Sequence, residues 1–200
     1  MDPSTPEPVA AFLRLLDEAA RRVPERWFLL PVAVHNTTGP VTRYRERVYC
    51  YELYHQIRVL SEGPWGAAAG APAYVLSGEI DKAGLNAVID GGQHKPDLVW
   101  HKPGDWRHNA VVVEVKAAAP LRPAPLRKDI DTLSVFLQAE RGYECGALLI
   151  YGETERDALR GRVLRAADRV GLSDAVRRRT QLLWHSKAGD RIKNLGTLTR

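Results

Sequence analysis

Long apolar runs are missing from this chain. Nothing in its 200 residues approaches the ~20 consecutive apolar positions a membrane-spanning helix needs. The N-terminus, MDPSTPEP, also lacks the basic-then-apolar pattern of a secretory signal. A cytoplasmic protein without membrane contact is the expectation. Cysteine is scarce: Cys50 and Cys145 are too few for a disulfide framework and are not spaced as a zinc site. Each stands among apolar residues and reads as a small core side chain. Internal repeats and low-complexity segments are absent too, which excludes stacked-repeat architectures. What remains is ordinary globular composition, 44% hydrophobic and 26% charged, over a length that suits one domain spanning residues 1–200.

Charge is uneven. The net value is +5, yet Arg156–Arg200 alone holds twelve Lys and Arg against four Asp and Glu, leaving the first 155 residues slightly acidic. A basic segment on an acidic body suggests a phosphate-backbone partner, with a solvated arginine-rich helix face as the plainer explanation.

Helical spacing marks Glu7–Val23, ended by Pro24, and Tyr44–Leu60, where Val48, Tyr51 or Glu52, His55 and Val59 recur every three or four residues. Trp27–Val34 fits a strand or a buried connector, and Ser61–Pro72 reads as loop. Tyr74–Lys82 predicts a strand, Leu126–Arg141 a helix with Gly142 as its C-cap, and Cys145–Tyr151 a buried strand. Thr154–Val170 is an amphipathic helix closed by Gly171, Thr180–His185 a final strand, and Ile192–Arg200 a mobile tail. Such alternation predicts a mixed sheet with helices on both faces.

The stretch KPDLVWHKPGDWRHNAVVVEVKA, Lys95–Ala117, holds the chemistry. It predicts strands over Asp97–His101 and Ala110–Lys116 joined by a polar loop. With that loop, His101 faces Ala110 and Asp97 faces Glu114, while Glu114 and Lys116 share one strand face. A one-residue slip would send Glu114 to the other side. VVVEVK is too apolar for a solvated edge, so two carboxylates and an ammonium converge in an apolar setting. Carboxylates, a backbone carbonyl and waters suit a hard divalent cation. Asp97, Glu114 and the Val115 carbonyl, with Glu52 from the second helix, would hold Mg²⁺ or Mn²⁺. Lys116 would position or deprotonate a water, or stabilise charge at phosphorus.

These residues resemble the PD-(D/E)XK nuclease superfamily. Pro96-Asp97 matches its PD, and Glu114-Val115-Lys116 matches its E-x-K, with sixteen residues between Asp97 and Glu114. YCYELYHQIR resembles the first core helix, whose acidic residue often joins the metal site; Glu52 would be that residue. The likeness covers about residues 48–151. It implies an α/β, restriction-endonuclease-like αβββαβ core with a mixed central sheet, extended by an N-terminal helix and a C-terminal helix and strand. It implies metal-dependent hydrolysis of phosphodiester bonds, in DNA before RNA, in a restriction, defence or repair setting. Nucleic acid is the expected partner, with a second copy of the chain or defence-system proteins beside it. The exonuclease branch carries Gln and Tyr one helical turn apart after the E-x-K; Gln138 and Tyr143 are five apart and do not match. The alternative function is a catalytically inactive nuclease-like module that binds nucleic acid or protein.

Several further polar residues have plainer roles beside functional ones. Glu79 and Asp81 face the site or cap a turn. His55 and His101 orient a carboxylate or are satisfied structural histidines. Asp129 reads as a favourable first-turn charge of its helix, and Lys128 as a phosphate contact. Trp65 and Trp106 are candidates for stacking on bases, whereas Trp100 reads as core.

Overall fold

Residues 6–33, 39, 41–78, 94–105, 108–138 and 142–200 are described by the computed structural model. The N-terminal amphipathic pattern forms α1 (Glu7–Arg21), which buries Phe12, Leu15, Leu16 and Ala19. The undecided run after Pro24 resolves into a single helical turn, α2 (Glu25–Phe28), and a short strand, β1 (Leu30–Val32), paired antiparallel with β2 (Val41–Arg43).

In α3 (Glu46–Ser61) the buried stripe differs from the expected one. Tyr49, Leu53, Ile57 and Leu60 face inward, while Tyr51, His55 and Val59 are exposed. Two sets of apolar residues interleave here at helical spacing, and the set containing Leu53, Ile57 and Leu60 removes more aliphatic surface from water. The expected loop after it contains α4 (Pro64–Ala68). Gly66 allows that turn to close on α3, since a Cβ there would stand 2.0 Å from the Ser61 carbonyl oxygen.

The remaining elements are β3 (Val75–Gly78), β4 (Leu98–His101), β5 (Asn109–Ala117), α5 (Pro123–Gln138), β6 (Cys145–Tyr151), α6 (Arg156–Val170), α7 (Asp174–Arg179), β7 (Thr180–His185) and β8 (Lys193–Thr197). The Pro-interrupted connector after β5 is thus shorter than its prolines suggest, because Pro123 and Pro125 occupy the first helical turn, where a missing N–H costs nothing. At α6 the Glu155 carboxylate accepts from the Asp157 and Ala158 amides, and Gly171 closes the helix at φ 76°.

Six strands form one mixed sheet in the order β3-β4-β5-β6-β7-β8. β4 is antiparallel to both β3 and β5, β5, β6 and β7 are parallel, and β8 is antiparallel to β7. Alternation along β5 divides the core. Val111, Val113 and Val115 join the α1/α3 layer, while Val112 joins the α5/α6 layer. The result is a mixed α/β architecture with helices on both faces. No helix among the described residues is long and apolar enough to cross a membrane. Cys50 and Cys145 are both buried, as read from their neighbours.

The C-terminal segment is not a mobile tail. Lys193–Thr197 adds the sixth strand, and Leu195 and Leu198 are buried against the α5/α6 layer. Polar residues between those leucines hide a two-point apolar anchor. Arginines secure it: Arg160 donates to the carbonyls of Leu195 and Thr199, Arg177 donates to that of Leu198, and Arg200 pairs with Asp168 at 2.7 Å.

Candidate active site

β4 is much shorter than β5, and that mismatch makes the site. Leu98 lies opposite Val113, Val99 opposite Val112 and Trp100 opposite Val111, so β5 from Glu114 onward continues past the end of its neighbour. Continued by one position, this register sets Asp97 against Glu114. At the other end a bulge shifts the ladder, and His101 pairs with Asn109 rather than Ala110.

Beyond Leu98, the β4 side of β5 has lost its ladder partner. Alternate residues of a strand direct their backbone groups to the same side, so Val115 and Ala117 both present N–H groups to this notch. Two carboxylates take them. Asp97 Oδ2 accepts the Val115 amide at 2.7 Å, and Glu46 Oε2 accepts the Ala117 amide at 3.4 Å. The Val115 carbonyl points to the same open side. Asp97 and Glu114 are close enough for each carboxyl to influence the ionisation of the other.

Glu114 is only 4% exposed. Burial, reinforced by the charges of Asp97 and Asp129, pushes its carboxyl well above the ordinary range. Burial also raises Asp97, against the stabilising Val115 amide. Lys116 lies between Glu46 Oε1 and Asp129 Oδ2, 2.9 Å from each. Burial opposes its charge, but those two carboxylates outweigh burial and hold the ammonium above its usual pKa. Asp129 is pushed up to about 6 by burial, partly offset by Lys116. Lys116 is therefore charged at neutral pH. It can orient a water or an anion and stabilise developing negative charge.

Two helices complete the cluster, each with a residue that differs from expectation. Glu46, in the first turn of α3, is the helical carboxylate at the notch; Glu52 is not. Glu52 accepts from Gln56 Nε2 at 2.7 Å on a different part of the helix. Six residues separate the two glutamates, about 9 Å along the axis and roughly two-thirds of a turn around it. Glu46 has little signal in the sequence, because it stands between two arginines at the start of the helix. Asp129 lies in the second turn of α5, is 8% exposed and faces Lys116, so it is a site residue rather than a first-turn charge. Its spacing beside buried Ile130 and Leu133 was the available clue.

Other candidates lie apart. His55 is exposed. His101 is at the opposite end of β4 from Asp97, four residues or about 13 Å away, where it bonds with the Ser77 hydroxyl at 3.2 Å. Lys128 is exposed on α5. Trp100 is fully buried, with its indole N–H donated to Ala69, and Trp65 is 39% exposed on α4. Glu79, Asp81 and Trp106 lie outside the described residues.

A cleft of ≈ 370 Å³ opens beside the notch, walled by Glu46, Asp97, Arg47, Tyr51, Tyr54 and Gly78 among others. That volume is in the range of small-ligand sites. Tyr51 is 58% exposed, unusual for a large apolar ring on a helix packed against a sheet.

Four carboxyl groups thus surround a single ammonium, and three of them are raised in pKa. The surplus of negative charge suits a hard cation. Among the described residues, however, no group of three or more His, Cys, Asp or Glu side chains is arranged to hold a metal ion. Asp97 and Glu114 with the Val115 carbonyl fit the sparser arrangement of Mg²⁺, which commonly takes one or two carboxylates and retains waters. No protein-family model, curated protein or solved structure matches the chain.

Proposed function

We propose that this protein is a metal-dependent nuclease hydrolysing phosphodiester bonds in DNA, with a PD-(D/E)XK, restriction-endonuclease-like core. The observation that carries the reading is the Asp97–Glu114 carboxyl pair brought together by strand register at the open end of β5, beside a charged Lys116. The order α3-α4-β3-β4-β5-α5-β6 supports it as well, because it is the αβββαβ order of that core with the short α4 inserted after the first helix.

Asp97 and Glu114, with the Val115 carbonyl, would hold Mg²⁺ or Mn²⁺. Such an ion, when bound, supplies Lewis-acid polarisation of a phosphoryl oxygen and lowers the pKa of a coordinated water. The chain's own residues do the rest. Lys116, fixed by Glu46 and Asp129, presents a permanent positive charge to the developing negative charge on the phosphate. Asp97, tied to the Val115 amide, is held in one orientation. Tyr51 and Tyr54 in the adjoining cleft offer aromatic faces to an unstacked base, and Arg47 offers a cation to its phosphate.

Supercoiled plasmid and single-stranded DNA incubated with Mg²⁺ or Mn²⁺ test this. Wild type should cleave, and Asp97→Ala and Lys116→Ala should each lose at least about 10²-fold in rate, the scale for removing one preorganised charge-stabilising group. Equal cleavage by all three proteins would overturn the assignment. Salt-sensitive binding without cleavage would instead identify a nuclease-like binding module.

A further inference from the structure

The arginines of the C-terminal third fall into two sets. Arg160, Arg177, Arg179 and Arg200 are used by the fold, donating to main-chain carbonyls or to Asp168. Arg162, Arg165 and Arg169 on α6, and Arg127 on α5, have no carboxylate partner among the described residues. These four converge on a groove of ≈ 220 Å³ between the two helices, whose floor includes Leu126 and Ala166. The three on α6 are exposed and Arg127 is half-buried.

Four guanidinium groups around one apolar-floored groove repel one another, with no carboxylate among the described residues to offset them. The apolar floor supports the arginine stems and leaves the planar heads free for bidentate contact with oxyanions. On α6 the three arginines are at positions i, i+3 and i+7, hence on one face, and span about 10 Å along the axis. A nucleic-acid strand advances about 3.4 Å per nucleotide. The row therefore spans about three nucleotide steps of such a backbone, and Arg127 approaches from the facing helix.

The groove is separate from the notch. Arg127 and Asp129 are two residues apart on α5, roughly 200° around the helix, so they leave on opposite sides. One helix diameter, about 10–12 Å, separates the surfaces they serve.

We propose that the α5/α6 arginine groove is a second binding site, for the phosphate backbone of the nucleic acid whose scissile bond lies at the Asp97–Glu114 notch. This inference rests on the proposed nuclease function for the identity of its anion. Its occupant is a phosphodiester backbone and not an acidic protein, because planar guanidinium heads set along one groove suit bidentate contact with a run of phosphate oxyanions.

The test is binding of a fluorescent duplex oligonucleotide in EDTA, between 50 and 200 mM salt, by wild type and by the variant Arg162→Gln/Arg165→Gln/Arg169→Gln. Three lost phosphate contacts should flatten the slope of log affinity against log salt by about 2.7. Wild-type affinity should consequently fall about 40-fold more than that of the variant over this range. Affinity should weaken equally for unrelated sequences, since backbone contacts carry no base information. Arg191→Gln, which removes an exposed arginine paired with Asp17, should leave the slope near that of wild type.

An unchanged slope in the triple variant overturns the groove, whether or not the wild type cleaves. A flattened slope in a protein that never cleaves with Mg²⁺ or Mn²⁺ supports the groove and overturns the nuclease reading alone. Displacement of the duplex by polyglutamate as effectively as by an unlabelled duplex, charge for charge, overturns the phosphodiester backbone as the occupant.

Discussion

Glu46 and Glu52 occupy one helix, yet only Glu46 touches the groups that matter. Its carboxylate both fixes the Lys116 ammonium and accepts the Ala117 amide, so it sets the position of a charged side chain and of the strand that carries it. Removing the charge while keeping the shape isolates that role. Glu46→Gln should reduce Mg²⁺-dependent DNA cleavage by about 10- to 100-fold, the range for groups that orient site residues. Glu52→Gln should stay within about 2-fold, because its partner is Gln56. Initial nicking rates of the two variants side by side decide the matter, and equal rates would return the helix carboxylate role to neither residue. Asp97 carries a structural burden besides. With Asp97→Ala the Val115 amide loses its acceptor in a half-buried notch, at a cost of about 1–3 kcal/mol in unfolding free energy, whereas Asp97→Asn keeps an oxygen there.

Among the elements, β8 separates two descriptions of the C-terminus. A mobile tail contributes nothing to stability. A sixth strand anchored by the completely buried Leu198 just after it contributes a great deal. Leu198→Ala should destabilise the fold by about 2–4 kcal/mol. For a chain of this size that corresponds to a fall in Tm of roughly 4–16 °C. Differential scanning calorimetry reads the shift directly, and an unchanged Tm would mean that β8 does not hold to the sheet. The same element shows where sequence reading stops. β5 and β6 were legible because VVVEV and CGALLIY are continuous apolar runs that only a buried strand explains. The register that sets Asp97 against Glu114 agrees with the one inferred from the loop, although a bulge at His101 replaces the expected loop-end pair. β8 was not legible, since KNLGTL offers two leucines among polar residues, and its pairing to β7 depends on arginines from α6 and α7 that are distant in sequence. The α3 stripe was ambiguous for another reason: two apolar sets with helical spacing compete, and tertiary packing chooses between them. Glu46 and Asp129 followed from that choice and from the true start of α5, so neither was visible as a site residue before the helices were set.

At the scale of the molecule, the site end of the sheet and the aromatic cluster behind it respond to acid in opposite senses. Asp97, Glu114 and Asp129 have raised pKa values through burial, so they favour the folded state more as pH falls. His185 does the reverse. It is fully buried, bonded through Nδ1 to the Tyr49 hydroxyl at 2.8 Å and packed edge-on against Phe28. Burial lowers its pKa to about 4, from an ordinary 6.5. Because the unfolded chain takes up this proton first, the stability held by neutral His185 is intact above about pH 6.5 and is lost as pH falls towards 4. The loss amounts to about 2 kcal/mol at pH 5 and about 3 kcal/mol once both states are protonated. A comparison of wild type with Tyr49→Phe/His185→Phe cancels the carboxylate contributions and avoids an orphaned hydroxyl. Urea unfolding at pH 7 and pH 5 should show wild-type stability changing unfavourably by about 2 kcal/mol more than that of the double variant. If both proteins shift by the same amount, His185 is not the group that couples this fold to acid.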